Sequence, residues 1–377
     1  MRSIKGCEDL RGKKVIVRAG LDVPMTDDGV ITDDFRLKQS LPTLQFLHEA
    51  GACVIVISHT SRADGSSDIS LKSVCDLLNT FIPTQWAGAV VGGEVEEKIA
   101  ALKDGELLML ENLRYEKGEK DNDEAFAKTL ASYGDIYVDD AFSVAHRRHA
   151  SIVGVPKFLP SYAGLSFVDE VAHLTLALKP QSPSLFILCG AKFDTKLPLV
   201  EKLLSVYDKV FIGGALADNF FVAQGFAVGK SLVSDLDITK TVLFNNPKIL
   251  LPIDVIAHSD RGSVAKKLDT IEADEAILDA GPETIAMLQK EIENAGTVLW
   301  NGPLGDYEYG FDAATKAVAQ CVADAKGTTI VGGGDTIAAI KDDILTKKFT
   351  FLSTAGGAML TFLEEGTLPG IEALYRI

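Results

Sequence analysis

Short apolar runs, each closed by a turn and followed by a helical stripe, limit what this chain can fold into. In the first half the runs are residues 14–19 (KVIVRA), 53–58, 107–110 and 135–138; in the second they are 184–188, 210–212, 297–300, 328–331 and 349–352. A run that is apolar and β-branched at nearly every position fits a strand buried on both faces. Such strands alternating with amphipathic helices predict an α/β fold with doubly wound parallel sheets flanked by helices. A chain of 377 residues exceeds what one hydrophobic core usually serves, so two domains are expected. Residues 161–179 carry helical periodicity and stop at the polar, proline-containing break 180–183, which predicts a helix bridging the two halves. The expected division is 1–160, a bridging segment 161–183, and a second domain from 184.

Composition narrows the class of function. With 47% hydrophobic and 24% charged residues the chain reads as globular, and no apolar run approaches the roughly 20 residues needed to span a bilayer. The start, MRSIKGCEDL, lacks the apolar stretch of a signal peptide, and the scattered cysteines Cys7, Cys53, Cys75, Cys189 and Cys321 suit reduced thiols; a cytoplasmic location is expected. A net charge of −16 argues against a general nucleic-acid or anionic-membrane binder. Against that acidic background, eight of ten arginines lie at or before position 148. Arginine suits bidentate capture of carboxylate and phosphate, so this crowding predicts a small-anion site in the first half.

The placement of those cations repeats. Arg18 ends the first run, His59 and Arg62 follow the second, Arg114 follows the third, and His146 and Arg147 follow the fourth. In open parallel sheets ligands bind outside the carboxyl ends of strands, so cations at equivalent points predict a shared site. Arg36 falls in the first turn of a helix capped by Thr32, Asp33 and Asp34, where the dipole opposes a cation; either a functional role or an exposed pair with Asp33 would explain it. His48 and His173 lie inside helical patterns and read as satisfied surface or core residues rather than ligands, and no histidine spacing suits a metal.

The second half offers glycines instead. Residues 328–340, TTIVGGGDTIAAI, read as strand, tight turn and helix; three glycines let backbone N–H groups approach an anion, and Asp335 follows where a divalent ion on a phosphate would want a carboxylate. Gly213-Gly214, the stretch from Asn301 to Glu308, and the turn 353–358 with Gly356 and Gly357 repeat the motif at other strand ends. Lys192 and Lys196 are four apart and are expected on one face of the first turns of a helix, a repulsive pair that phosphates would neutralise. Neither a Walker motif nor a GxGxxG turn after the first strand is present, which weakens a dinucleotide-dependent dehydrogenase reading.

Eleven blocks, VIVRAGLDVP, TDDFR, SHTSR, LLMLENLR, VDDAFSVAHRRHAS, GAKFDTK, IGGALADNF, DAGPETI, VLWNGPLG, VGGGDT and STAGGA, run in the order found in phosphoglycerate kinases, and the chain resembles that family over essentially its full length. The resemblance implies two Rossmann-like domains, the first for 3-phosphoglycerate or 1,3-bisphosphoglycerate and the second for ADP or ATP with Mg2+. It also implies a cytosolic monomer that works on small molecules, and a tail, 368–377, that returns to the first domain. Carried over by motif, it assigns Arg18, Asp22, Arg36, His59, Arg62, Arg114, His146 and Arg147 to the triose, and Arg36, Lys196, Gly356 and Gly357 to the moving phosphoryl group. Lys192, Lys196, Gly213, Gly214, Asn301, Glu308, Gly333, Gly334, Asp335 and Thr336 would hold the nucleotide, with Asp335 on the metal. The family's usual Asp-x-Asn is Gly20-Leu-Asp22 here, serines stand at 61 and 143, Cys189 opens the lysine turn, and Ala355 replaces a glycine. Those departures raise an alternative, a nucleotide-binding relative with impaired turnover and a regulatory role. The Ala355 methyl in particular is expected to restrict the backbone or crowd the phosphoryl group.

Overall fold

The computed structural model describes all residues except 27, 62–68, 192–195, 341 and 376–377. The chain divides into two compact units, Met1–Ala172 with the residues from Thr367 onward, and His173–Gly366.

The first unit is built on six strands, β1 (Lys14–Ala19), β2 (Cys53–Ile57), β3 (Thr84–Trp86), β4 (Leu107–Met109), β5 (Ile136–Asp140) and β6 (Ser161–Ala163). They lie in the order β3-β4-β2-β1-β5-β6 with parallel pairing throughout. β2 and β5 are buried at every residue and β1 at all but the first, as their unbroken apolar character requires. The helix Phe35–Glu49 covers the sheet with Leu37, Leu41, Leu44 and Leu47, the stripe expected from its sequence. Because every strand is parallel, the ends of β1, β2, β4 and β5 open on one edge, and their order reverses around β1.

One feature of this unit departs from the sequence reading. The continuous helix expected over 161–179 is a short edge strand, β6, followed by the helix Leu165–Ala177. Asp140 sets the break: its carboxylate accepts from Ser166 Oγ at 2.7 Å and from Phe167 N at 3.1 Å, and a Cβ on Gly164 would lie 2.2 Å from it. The C-terminal helix Pro369–Ala373 packs in the same unit, where Gly370 N donates to Ala145 O at 2.9 Å.

The second unit repeats the scheme with β7 (Ser184–Leu188), β8 (Lys209–Ile212), β9 (Ile249–Leu250), β13 (Thr297–Asn301), β14 (Thr328–Gly332) and β15 (Phe351–Ser353), all parallel in the order β15-β14-β13-β7-β8-β9. Trp300 is fully buried in its core. A second, antiparallel sheet of β10 (Val255–Ser259), β11 (Gly262–Lys266) and β12 (Ala276–Ala280) was not among the sequence expectations. Its outer strand β11 is almost wholly exposed and lacks the apolar run by which the other strands announce themselves.

Candidate functional site

Each unit gathers its functional residues at the carboxyl edge of its sheet. In the first unit Arg18 leaves the end of β1 fully buried. Its guanidinium donates to Ser151 Oγ at 3.1 Å and to Ala19 O at 2.8 Å, and its third nitrogen meets His59 Nδ1 at 2.8 Å. An arginine has only donors, so His59 Nδ1 accepts and the ring proton sits on Nε2. Burial, reinforced by the charges of Arg18, Arg114 and Arg147, holds His59 well below the ordinary imidazole range, which keeps it neutral. Ser151 is itself held by buried Glu119, whose carboxylate accepts from Ser151 Oγ at 2.6 Å and Ser151 N at 2.9 Å. Arg18 was expected among the residues that hold the triose. Its donors are turned inward, so it positions His59 from behind.

Around this buried frame stand the more open cations. Arg114 is half-buried and bonds Ser61 Oγ, and burial followed by the nearby Arg147 and Arg18 lowers its guanidinium to about 10. Arg147 is exposed, and its Nε donates to His146 Nε2 at 3.4 Å. Like charges this close raise the energy of the empty site, so an anion that neutralises them is favoured. Arg36 turns to Asp22, forming an ion pair with its carboxylate and donating to its backbone carbonyl at 2.9 Å, in place of the Asp33 pairing weighed above. Asp33 instead accepts from Phe35 N at 2.7 Å. Asp22 also reaches Ser143 Oγ at 3.5 Å, beside the space left by Gly20. Arg62 lies outside the described residues.

In the second unit the turns after β7, β8, β13 and β14 fold against one another through glycine. A Cβ on Gly302 would lie 2.1 Å from Cys189 O, and one on Gly214 would lie 2.9 Å from Gly190 N; both glycines have positive φ. Gly333, at φ +108°, sits between Asn301 and Thr336, whose polar atoms a Cβ would meet at 3.0 Å. Asn301 Nδ2 donates to Gly332 O at 2.9 Å, and the fully buried Thr336 hydroxyl accepts from Gly302 N at 2.8 Å and donates to Gly332 O at 3.0 Å. These two side chains therefore brace the turn from within, where an open contact with phosphate was expected. A Cβ on Gly334 would face open space, and one on Gly356 would lie 3.6 Å from Gly333 Cα and 3.8 Å from Gly334 N, so the starts of two helices lie side by side. Gly357 follows, exposed, in the first turn of Gly356–Glu365. Ala355 has φ −91°, an ordinary backbone angle for any residue, so its methyl imposes no strain.

Lys196 stands at the N-cap position of the helix Leu197–Leu204, and its expected pairing with Lys192 on one helical face lies outside the described residues. Its ammonium folds back to donate to Cys189 O at 2.7 Å, and burial lowers its affinity for the proton while nearby Asp335 opposes that. A cavity of about 440 Å³ opens beside these turns, with Gly213, Gly214, Glu308 and Asp335 among the residues that line it. Tyr307, unmarked in the sequence reading, donates to Asp335 Oδ1 at 3.3 Å at its rim. Asp218, equally unmarked, lies in its wall one turn into the helix Ala215–Ala223. A carboxylate among the largely apolar residues of GALADNFF was the available signal.

Comparison with known proteins bears on these two sites. A sequence model of the phosphoglycerate kinase family matches residues 4–366. A phosphoglycerate kinase of Desulfosudis oleivorans is 40% identical, covering 100% of this chain and 99% of its own. One from Chloroherpeton thalassium is 43% identical over 96% of each. Among solved structures, phosphoglycerate kinase from Coxiella burnetii superposes with a TM-score of 0.84 at 36% identity, covering 99% of this chain and 98% of that one. The enzyme from Pyrococcus horikoshii gives a TM-score of 0.88 at 28% identity over 100% and 98%.

Proposed function

The chain belongs to the phosphoglycerate kinase family, and from that premise we propose that it transfers a phosphoryl group reversibly between 1,3-bisphosphoglycerate and ADP, giving 3-phosphoglycerate and ATP. One observation carries the reading at residue level: a cation cluster ends the strands of the first unit, and a glycine-backed cavity lined by Asp335, with Lys196 held on the adjoining turn, ends those of the second. The triose, with its carboxyl and phosphate, is matched to the first. The nucleotide is matched to the second.

Phosphoryl transfer asks for alignment and charge neutralisation more than for acid–base chemistry, because the leaving carboxylate of the acyl phosphate is weakly basic. Arg114, Arg147 and neutral His59 hold the triose anion, with Arg62 assigned the same role by family motif. Arg36 exchanges Asp22 for the moving phosphoryl group, Lys196 approaches it from the nucleotide side, and the backbone N–H groups of Gly356 and Gly357 donate to its oxygens. Gly213 and Gly214 flank the base, Glu308 accepts from the ribose hydroxyls, and Gly333 and Gly334 give the phosphates access to backbone N–H groups. Reacting atoms must come within roughly 3–3.5 Å for in-line transfer. Turnover therefore needs the bound triose and nucleotide aligned within that range, and we assign any flexing to residues 161–183, which join the two units.

The donor set suits Mg2+. Asp335 lines the cavity as an exposed carboxylate, and no cluster of three or more His, Cys, Asp or Glu able to hold a metal exists among the described residues. A single carboxylate with the remaining positions left to phosphates and water is how this ion is commonly held on nucleotides. When bound, it neutralises phosphate charge and orients the nucleotide.

Among the described residues no helix is long and apolar enough to cross a membrane. With a net charge of −16 and the family relationship, this supports a cytoplasmic monomer without affinity for nucleic acid. A coupled assay with 3-phosphoglycerate and Mg-ATP tests the activity: ADP formation dependent on both substrates is expected. Nucleotide binding without product would favour a turnover-impaired relative.

A further inference from the structure

Asp335 is the carboxylate assigned to the metal, and it stands exposed in the first turn of the helix Gly334–Ile340. An exposed side chain samples several rotamers, and ordering it when a ligand arrives costs free energy. Here one of its oxygens is already engaged: Tyr307 donates its hydroxyl to Asp335 Oδ1 at 3.3 Å. A carboxylate offers about four acceptor positions over its two oxygens, so this bond leaves room for a metal.

Tyr307 can serve as an anchor because the turn that carries it is itself fixed. Leu304 N donates to Thr315 Oγ1 at 2.9 Å, Asp306 N to Leu278 O at 2.8 Å, and Phe311 N to Asp306 O at 3.0 Å. A Cβ on Gly305 would lie 2.4 Å from both Asp279 Oδ1 and Phe311 O, so the turn is closely packed as well. At its start Gly302 N donates to the hydroxyl of Thr336, the residue after Asp335. The segments that bear the phenol and the carboxylate are therefore joined at a second point.

We propose that Tyr307 is a positioning residue for the metal carboxylate, its hydroxyl holding Asp335 at the rim of the cavity so that Mg2+ bound with the nucleotide meets a preordered ligand. The proposal rests on the nucleotide and metal reading above and deepens it. Carboxylates that ligate metals are themselves commonly hydrogen-bonded, and losing such an outer partner costs about 10–100-fold in affinity. The 3.3 Å separation is long for an O–H···O bond, so a loss of about 3–10-fold is expected. The effect is also selective. Glu308, assigned to the ribose, directly follows Tyr307, so a change that merely loosened the turn would weaken nucleotide with and without metal.

Titration calorimetry of the full chain with ADP, in Mg2+ and in EDTA, tests this on Tyr307→Phe, which removes one oxygen and keeps the ring. Mg-ADP should bind about 3–10-fold more weakly than to wild type, with metal-free ADP unchanged. In an Asp335→Ala background the same substitution should add nothing, since the group it acts through is gone. Unchanged Mg-ADP affinity in Tyr307→Phe, equal losses with and without Mg2+, or an additive loss in the Asp335→Ala background would overturn the assignment. Absence of any metal-dependent loss in Asp335→Ala alone would remove the metal reading and this proposal with it. Failure of wild type to bind ADP would remove the nucleotide site beneath both.

Discussion

The two units share one sheet architecture yet prepare for anions in opposite ways. The first presents side chains: Arg18, His59, Arg114 and Arg147 lie at or past strand ends and Arg36 opens the helix Phe35–Glu49, none of them at positive φ. The second removes side chains: Gly214, Gly302 and Gly333 take positive φ and let the turns touch. Charge delivered by side chains tolerates exchange of backbone residues nearby, as Gly20 illustrates, since a Cβ there would meet nothing closer than 3.6 Å. Recognition through bare backbone does not, because the neighbouring main chain already occupies the space a methyl would need.

The sharpest test on the side-chain half is Arg36→Ala. Removing a donor that acts on the moving phosphoryl group should lower kcat by roughly a hundredfold or more, as loss of comparable transition-state donors does. A steady-state loss confined to KM would contradict the role. On the backbone half, Gly302→Ala places a methyl against Cys189 O in a left-handed conformation and should destabilise the second unit by about 1–3 kcal/mol or more in denaturant unfolding. Gly20→Ala should stay within about 0.5 kcal/mol of wild type. Equal costs at the two positions would erase the distinction.

Asp335→Ala probes whether the second site also depends on charge. It should weaken Mg-nucleotide binding by about tenfold or more while leaving metal-free nucleotide less affected, since only the former engages the carboxylate. Equal losses in calorimetry with and without the metal would count against coordination. A smaller effect is expected behind the first site at Asp139, whose Oδ2 is buried without a partner among the described residues. Burial raises its carboxyl from 3.8 to about 7, so the stabilisation it permits in acid is lost as pH rises through that range. Asp139→Asn should therefore raise the melting temperature above pH 7 by roughly 2–4 °C and lose that advantage toward pH 4. An advantage that grew in acid would reverse the assignment.

Much of this organisation was legible in the sequence because parallel strands buried on both faces write themselves as unbroken apolar runs, as in KVIVRA. The cations at their ends were legible for the same reason, since a strand end fixes where the next side chain emerges. What the sequence could not show was direction. Nothing local told that Arg18 turns inward to His59, that Arg36 reaches across to Asp22, or that Thr336 closes on Gly302 and Gly332. All but the Thr336–Gly332 bond, which spans four residues, depend on partners 14 or more residues away. The exposed strand β11 and the short β6 also escaped, the first for lack of an apolar pattern, the second because Asp140, distant in sequence, sets where its neighbouring helix begins.

Backbone amide NMR of the full chain, titrated separately with 3-phosphoglycerate and with ADP, tests the division of labour most directly. Shifts should concentrate around Arg36, His59, Arg114 and Arg147 for the first ligand, and around Gly213, Gly214, Gly334 and Asp335 for the second. Both ligands perturbing the same group of residues would contradict the account.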